Sequence, residues 1–127
     1  MKRVLLLVDD EPDLGLLFTR LLSRSFDEVH FAPGPASAED FLARGSVTHL
    51  IVDAVLERGA AKGQDLICRW RRAHPTVVYA AIFSGRKLAK EDLPAEVDEA
   101  FSKPDGLDAL LERLRSLCSA DRKWAPA

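Results

Sequence analysis

The sequence predicts an α/β fold built on a doubly wound, five-stranded parallel sheet of strand order 2-1-3-4-5. Three observations lead there. Apolar runs of strand length alternate with stretches of helical apolar spacing from one end of the 127 residues to the other, the pattern of βα units. The first run, Val4-Leu5-Leu6-Leu7-Val8, shows no polar alternation, as expected of a strand buried on both faces. Polar residues close several of the runs, and parallel sheets collect ligands and chemistry outside the carboxyl ends of their strands.

Asp9 and Asp10 end the first run, and Pro12 suits the first turn of the following helix, where a missing N–H costs nothing. Leu14, Leu17, Phe18, Leu21 and Leu22 recur at helical spacing and predict its buried stripe. Glu28-Val29-His30-Phe31 reads as a short second strand, and Pro33-Gly34-Pro35 leads into a helix over 36–44 with Phe41 and Leu42 inward. The third strand runs from Thr48 to Val52 and ends at Asp53. A loop with Gly59 and Gly63 precedes a helix carrying Leu66, Ile67 and Trp70 on one face.

Pro75 separates that helix from the fourth strand, Val77 to Phe83, which Ser84 closes. Between Ser84 and Phe101 the helical signal is weak: residues 86–92 supply about two turns before Pro94 interrupts. Ala100-Phe101-Ser102 forms the fifth strand and ends at Lys103-Pro104. The last helix, Gly106 to Ser119, turns Leu107, Leu110, Leu111, Leu114, Leu117 and Cys118 inward. One domain over 1–120 is expected, followed by a short polar tail over 121–127 in which Trp124 is either exposed or docked on a groove. Right-handed crossovers and the economical strand order place the ends of the first and third strands side by side.

Composition narrows the function. With 47% apolar and 30% charged residues and a net charge of −2, the chain is ordinary for a globular domain. It lacks the basic excess of a protein that binds nucleic acid by broad attraction. No apolar run is long enough to span a bilayer. The N-terminal apolar stretch is too short for a signal peptide and is ended at once by acids. Cys68 and Cys118 have no metal-ligand spacing and read as free thiols in a reducing compartment. His30, His49 and His74 lie on different elements and form no cluster. Arg69, Arg71 and Arg72 read as a solvated face.

Asp9, Asp10 and Asp53 would then meet in one pocket, where three carboxylates must protonate, separate or hold a cation. Hard oxygen ligands favour Mg²⁺, which keeps open positions for phosphate oxygens. Lys103 adds a positive charge for those oxygens and Ser84 a hydroxyl donor. Together they describe a phosphoryl-transfer centre with Asp53, alone on the central strand, as nucleophile. The blander reading of each residue is local: Asp9 or Asp10 as a helix cap, Glu11 as a first-turn acid on the helix dipole, Ser84 as a turn residue, Lys103 as a solvated lysine.

Val8-Asp9-Asp10-Glu11, Asp53, Ser84-Gly85 and Lys103-Pro104, in this order and each at a strand end, resemble a response-regulator receiver domain of bacterial two-component signalling. The resemblance covers almost the whole chain. It implies a flavodoxin-like receiver fold, here with a shortened fourth helix. It implies that Asp53 accepts a phosphoryl group from a histidine kinase, a phosphotransfer protein or a small phosphodonor. Asp10 would bind Mg²⁺ directly and Asp9 largely through water, with Asp53 and the backbone carbonyl of Val55 completing the metal site. Ser84 would swing toward the new phosphate, Lys103 would pair with it, and Gly85 would leave it accessible. Phosphorylation would add about −1.5 to −2 charge, enough to bias a two-state arrangement. A cytoplasmic monomer or weak homodimer is implied, catalysing only its own phosphorylation and dephosphorylation. It would signal through a downstream protein, with no direct nucleic-acid contact and no membrane insertion. No output segment follows in this sequence, so a stand-alone receiver is expected.

The chain departs from that family in three places. Receivers usually carry an aromatic switch residue three positions before the lysine, where this chain has Ala100. Phe101 occupies the next position, but strand alternation sends it to the opposite face, so core filling is its expected job. Leu56-Glu57 stand where the family commonly has Met-Pro, and the connection through Gly63 is longer by about two residues. Val55, Glu57, Arg58 and Arg86 border the expected phosphate and are expected to tune its lifetime. Two alternatives remain open: a receiver fold that acts as a phosphorylation-independent interaction module, and a small phosphohydrolase of the haloacid-dehalogenase type. The second needs an Asp-x-Asp after the first strand, where this chain has adjacent acids.

Overall fold

A computed structural model describes residues 2–103 and 105–123, with side chains omitted at 58 and 120–123. Pro104 and Trp124, both singled out above, lie outside the described residues, as does the side chain of Arg58. The chain runs β1 (Val4–Val8), α1 (Pro12–Leu22), β2 (Glu28–Ala32), α2 (Pro35–Ala43), β3 (His49–Asp53), β4 (Val55–Leu56), β5 (Ala61–Lys62), α3 (Gly63–Ala73), β6 (Tyr79–Ser84), β7 (Glu99–Ser102) and α4 (Leu107–Lys123). Five strands form one parallel sheet of order β2-β1-β3-β6-β7. With the two-residue strands β4 and β5 set aside as a separate hairpin, this is the predicted 2-1-3-4-5.

Strand alternation divides the core into two layers. Val4, Leu6, Val8, Leu50, Val52 and Ile82 face one side and pack with Leu42 of α2 and Ile67 and Trp70 of α3. Leu5, Leu7, Ile51, Ala81 and Phe83 face the other and pack with Phe18 and Leu22 of α1 and Leu110 and Leu114 of α4. The strands β1 and β6, on either side of the central β3, are buried throughout, whereas β7 at one edge is half-buried along its length and β2 at the other over 28–31. That gradient explains why the first run is uniformly apolar and the second is mixed. Each fully buried leucine contributes roughly 2 kcal/mol through burial.

Several expectations need correction. A fourth helix over 86–92 does not form; only a 3₁₀ turn at Lys90–Asp92 stands there. Gly85 opens the stretch, Pro94 closes it, and only Leu88 and Leu93 turn toward the core, too few for a helical stripe. The sheet thus carries four α-helices among the described residues. Leu21 is exposed rather than buried, and the stripe of α1 is carried by Leu14, Phe18 and Leu22. β6 begins at Tyr79 rather than Val77, and the N–H groups of Val78 and Tyr79 share the Thr48 carbonyl just before β3. α4 continues to Lys123, three residues into the segment read as a polar tail.

Arg71 is not part of a solvated face. Its guanidinium bonds the carbonyls of Val77, Val78 and Glu96 and the Asp98 carboxylate at 2.8 Å. It ties α3 to the segment just before β6 and to the C-terminal end of the irregular stretch that replaces the helix. Its neighbours Arg69 and Arg72 pair with Glu39 and Glu96.

Candidate functional site

Three backbone hydrogen bonds extend the sheet past its last residues and set the site's floor. The Asp9 N–H donates to the Ala32 carbonyl at 3.1 Å, that of Ala54 to Phe83 at 3.1 Å, and that of Lys103 to Ser84 at 2.6 Å. The end of β1 is thereby tied to that of β2, and the ends of β3 and β7 to that of β6 between them. Gly63, the first residue of α3, donates its N–H to the Ala54 carbonyl. A Cβ at that glycine would lie 2.2 Å from the Asp53 carbonyl oxygen, so only glycine lets the helix start this close to β3.

These supports bring the predicted residues together. One carboxylate oxygen from each of Asp9, Asp10 and Asp53 lies within 4.8 Å of the others. The Lys103 ammonium donates to Asp9 Oδ2 at 2.7 Å and stands 3.4 Å from Asp53 Oδ2 and 4.0 Å from Glu11 Oε1. Asp9 is fully buried, while Asp10 is exposed. The second carboxylate oxygen of Asp9, Oδ1, accepts the Glu11 N–H at 3.0 Å. The Lys103 ammonium also sits 5.2 Å from the centre of the Phe83 ring. Ser84 is buried, and its hydroxyl oxygen accepts the Arg86 N–H at 3.0 Å. The Val55 N–H points at Asp53 Oδ1, at 3.4 Å.

Charge is unbalanced here. Burial and the Asp9 carboxylate push the Asp53 carboxyl above its ordinary value, against the opposing pull of Lys103. Burial disfavours the Lys103 ammonium, but hydrogen bonding to Asp9 and the charges of Asp9, Asp53 and Glu11 outweigh it and raise its pKa. One lysine cannot neutralise three clustered carboxylates. The donor set, all hard oxygen with one ligand exposed to solvent, fits Mg²⁺.

Ala100 pairs with Ile82 on the sheet and Phe101 with Phe83. Phe101 packs into the layer under α1 and α4 and Ala100 into the opposite one, so the ring fills core, as alternation predicts. Beside Asp53 and Ser84 opens a cavity of about 570 Å³ that Val55, Lys62, Arg86 and Leu88 help line.

Neither Lys62 nor Leu88 was singled out from sequence. Two-residue strands carry no periodicity, so the hairpin that delivers Lys62 leaves no pattern to read. Its turn is unusual: Glu57 has a φ of 52° and Gly59 one of 93°. Glu11, expected as a first-turn acid on the helix dipole with an indirect metal role also open, reaches toward Lys103.

No protein-family model and no curated protein matches the chain. Solved structures do. A response regulator from Thermotoga maritima superposes with a TM-score of 0.72 at 25% identity, covering 94% of this chain and 99% of that one. The CheY-like receiver domain protein from Methanospirillum hungatei JF-1 gives a TM-score of 0.77 at 18% identity over 98% and 100%. The fold is that of a response-regulator receiver domain. A second response regulator from T. maritima, in complex with Mg(2+)-BeF, gives 0.71 at 24% identity over 92% and 99%. In this receiver fold the acidic cluster occupies the carboxyl ends of the two central strands β1 and β3, the switch point where doubly wound sheets bind ligands.

Proposed function

We propose that the chain is a phosphoacceptor receiver that takes a phosphoryl group onto Asp53 with Mg²⁺ and signals through protein contacts. The observation that carries the reading is Lys103 bridging Asp9 at 2.7 Å and Asp53 at 3.4 Å inside a three-carboxylate cluster. In the transfer, an Asp53 carboxylate oxygen forms a bond to phosphorus. The phosphorus–nitrogen bond of a phosphohistidine breaks, its electron pair leaving with the imidazole. Charge spreads over the three phosphoryl oxygens. Lys103, 3.4 Å from Asp53, stands where it can follow that charge, and the Ser84 hydroxyl offers a donor in the cavity beside Asp53. Mg²⁺, held by Asp9, Asp10, Asp53 and the Val55 carbonyl, would neutralise the carboxylates and the incoming phosphate together. The fold's likeness to a response regulator solved with Mg(2+)-BeF supports this metal.

The donor in this reading is a histidine kinase or phosphotransfer protein, and the recipient of the signal a protein target. The chain works in the cytoplasm, as a monomer or weak homodimer, and turns over no substrate beyond its own phosphate. Intact-mass spectrometry after incubation with acetyl phosphate tests the reading. One phosphate is expected on the wild type with Mg²⁺, none with a chelator and none on Asp53→Asn. A wild-type chain that never gains phosphate, or one that gains it elsewhere, overturns it.

Ala100 and the absent fourth helix favour a second reading, a receiver fold that binds its partner without phosphate. A ring that would move with Ser84 is missing from β7, and with it the usual means of reporting phosphorylation. Partner binding that is indifferent to beryllofluoride and to Asp53→Asn would select this reading.

A further inference from the structure

The cavity beside Asp53 shares Asp53, Val55, Ser84 and Gly85 with the proposed phosphoacceptor site and extends beyond them to Lys62, Ile82 and Leu88. It measures about 570 Å³, within the range of small-molecule sites. Its apolar wall is built from Val55, Ile82 and Leu88. Two cations, Lys62 from the β4–β5 hairpin and Arg86 from the loop after β6, line the same space. Neither side chain has a carboxylate partner among the described residues. Lys103, by contrast, is fully engaged by the acidic cluster.

Leu88 also forms part of a second cavity of about 160 Å³ that reaches Ala100. Leu88 thus lines both spaces. It belongs to a stretch with neither helix nor strand and is only half-buried. The small side chain of Ala100, beside Ile82 on the sheet, leaves that inner space free.

We propose that this cavity is a binding site for a small organic anion: a phosphate or carboxylate head on a flat apolar body. Lys62 and Arg86 hold the head, and Val55, Ile82 and Leu88 enclose the body. Two paired charge-assisted contacts fix orientation, while apolar contact supplies affinity. Asp53 lines the same cavity and repels a second anion, so an occupant and a phosphorylated Asp53 oppose one another. The occupant is a ligand that stays intact; no bond is made or broken.

The test uses the whole chain with a chelator present, so that no metal recruits the head group. Phenyl phosphate, benzoate and inorganic phosphate are titrated separately and followed by methyl and amide NMR. Saturable shifts at Val55, Ile82 and Leu88 are expected for whichever aromatic anion fits, and comparison of the two identifies the head group. The double variant Lys62→Gln/Arg86→Gln, altered only at exposed side chains, is expected to weaken binding by about tenfold or more. Asp53→Asn is expected to tighten it. Inorganic phosphate binding as well as phenyl phosphate would remove the apolar subsite. Shifts confined to Asp9 and Asp10, or no saturation with either aromatic anion by about 10 mM, would overturn the proposal. None of these outcomes depends on whether acetyl phosphate labels Asp53, so the two readings fail separately.

Discussion

At Asp53 function and stability pull in opposite directions. Burial first, and Asp9 second, raise the carboxyl's pKa despite Lys103. A carboxyl with a folded-state pKa above the unfolded one binds its proton more tightly in the folded chain. Ionising it therefore lowers stability as pH rises through the folded value, and below the unfolded value the cost is absent. Asp53→Asn removes a charge the pocket resists. Without metal it is expected to raise the thermal midpoint at neutral pH, with the gain fading as pH falls from the raised folded value toward the ordinary carboxylate value of about 4, and absent below it. A midpoint unchanged or lowered at neutral pH would contradict this account. Lys103 is the converse case, because its ammonium is the hydrogen-bond partner of the fully buried Asp9. Lys103→Met leaves that carboxylate buried and unpaired. The expected loss is about 3 kcal/mol by urea unfolding at neutral pH, and adding Asp53→Asn is expected to return part of it.

Among the elements, α3 shows how one atom fixes the distance between a helix and a site. A methyl at Gly63 would meet the Asp53 carbonyl at 2.2 Å, and backbone cannot yield as a side chain can. Gly63→Ala is expected to cost roughly 1–3 kcal/mol and to slow phosphorylation of Asp53, read by intact mass against time; a change in stability with an unaltered labelling rate would break the proposed link. The irregular stretch between β6 and β7 depends on Arg71 in a similar way. Its guanidinium holds the end of that stretch by bonding the Glu96 carbonyl and Asp98, and anchors it to the Val77 and Val78 carbonyls just before β6. Arg71→Met is expected to leave the sheet intact and to raise amide exchange at Val78 and in residues 96–98. Uniform exchange across the chain would instead mean that the stretch holds itself. Neither element was fully legible in sequence. Periodicity reveals helices such as α3, with Leu66, Ile67 and Trp70 inward, because the pattern recurs over three turns. It is silent on the β4–β5 hairpin, where two residues a side give no repeat, and on a single arginine recruited by long-range carbonyls.

For the molecule as a whole, the site was readable because sheet topology converts distant sequence positions into neighbours by rule. Asp9, Asp53, Ser84 and Lys103 sit at strand ends, and strand order alone sets which ends are adjacent. What order cannot convey is depth: Asp9 proves fully buried and Asp10 exposed, though they are consecutive. That asymmetry gives the final prediction. β1 and β3 are adjacent in the sheet and each ends in carboxylate, so like charges oppose the closure of its central pair. A divalent cation that binds only the folded chain stabilises it by mass action, about 2.7 kcal/mol at a hundredfold excess over Kd. Mg²⁺ is therefore expected to raise the thermal midpoint of the wild type in a saturable way. Asp10→Ala, which deletes the exposed ligand without opening the core, is expected to abolish the rise while leaving the metal-free midpoint almost unchanged. An equal rise in both proteins would mean that Mg²⁺ acts on general surface charge, and the three-carboxylate cluster would lose its role as a metal site.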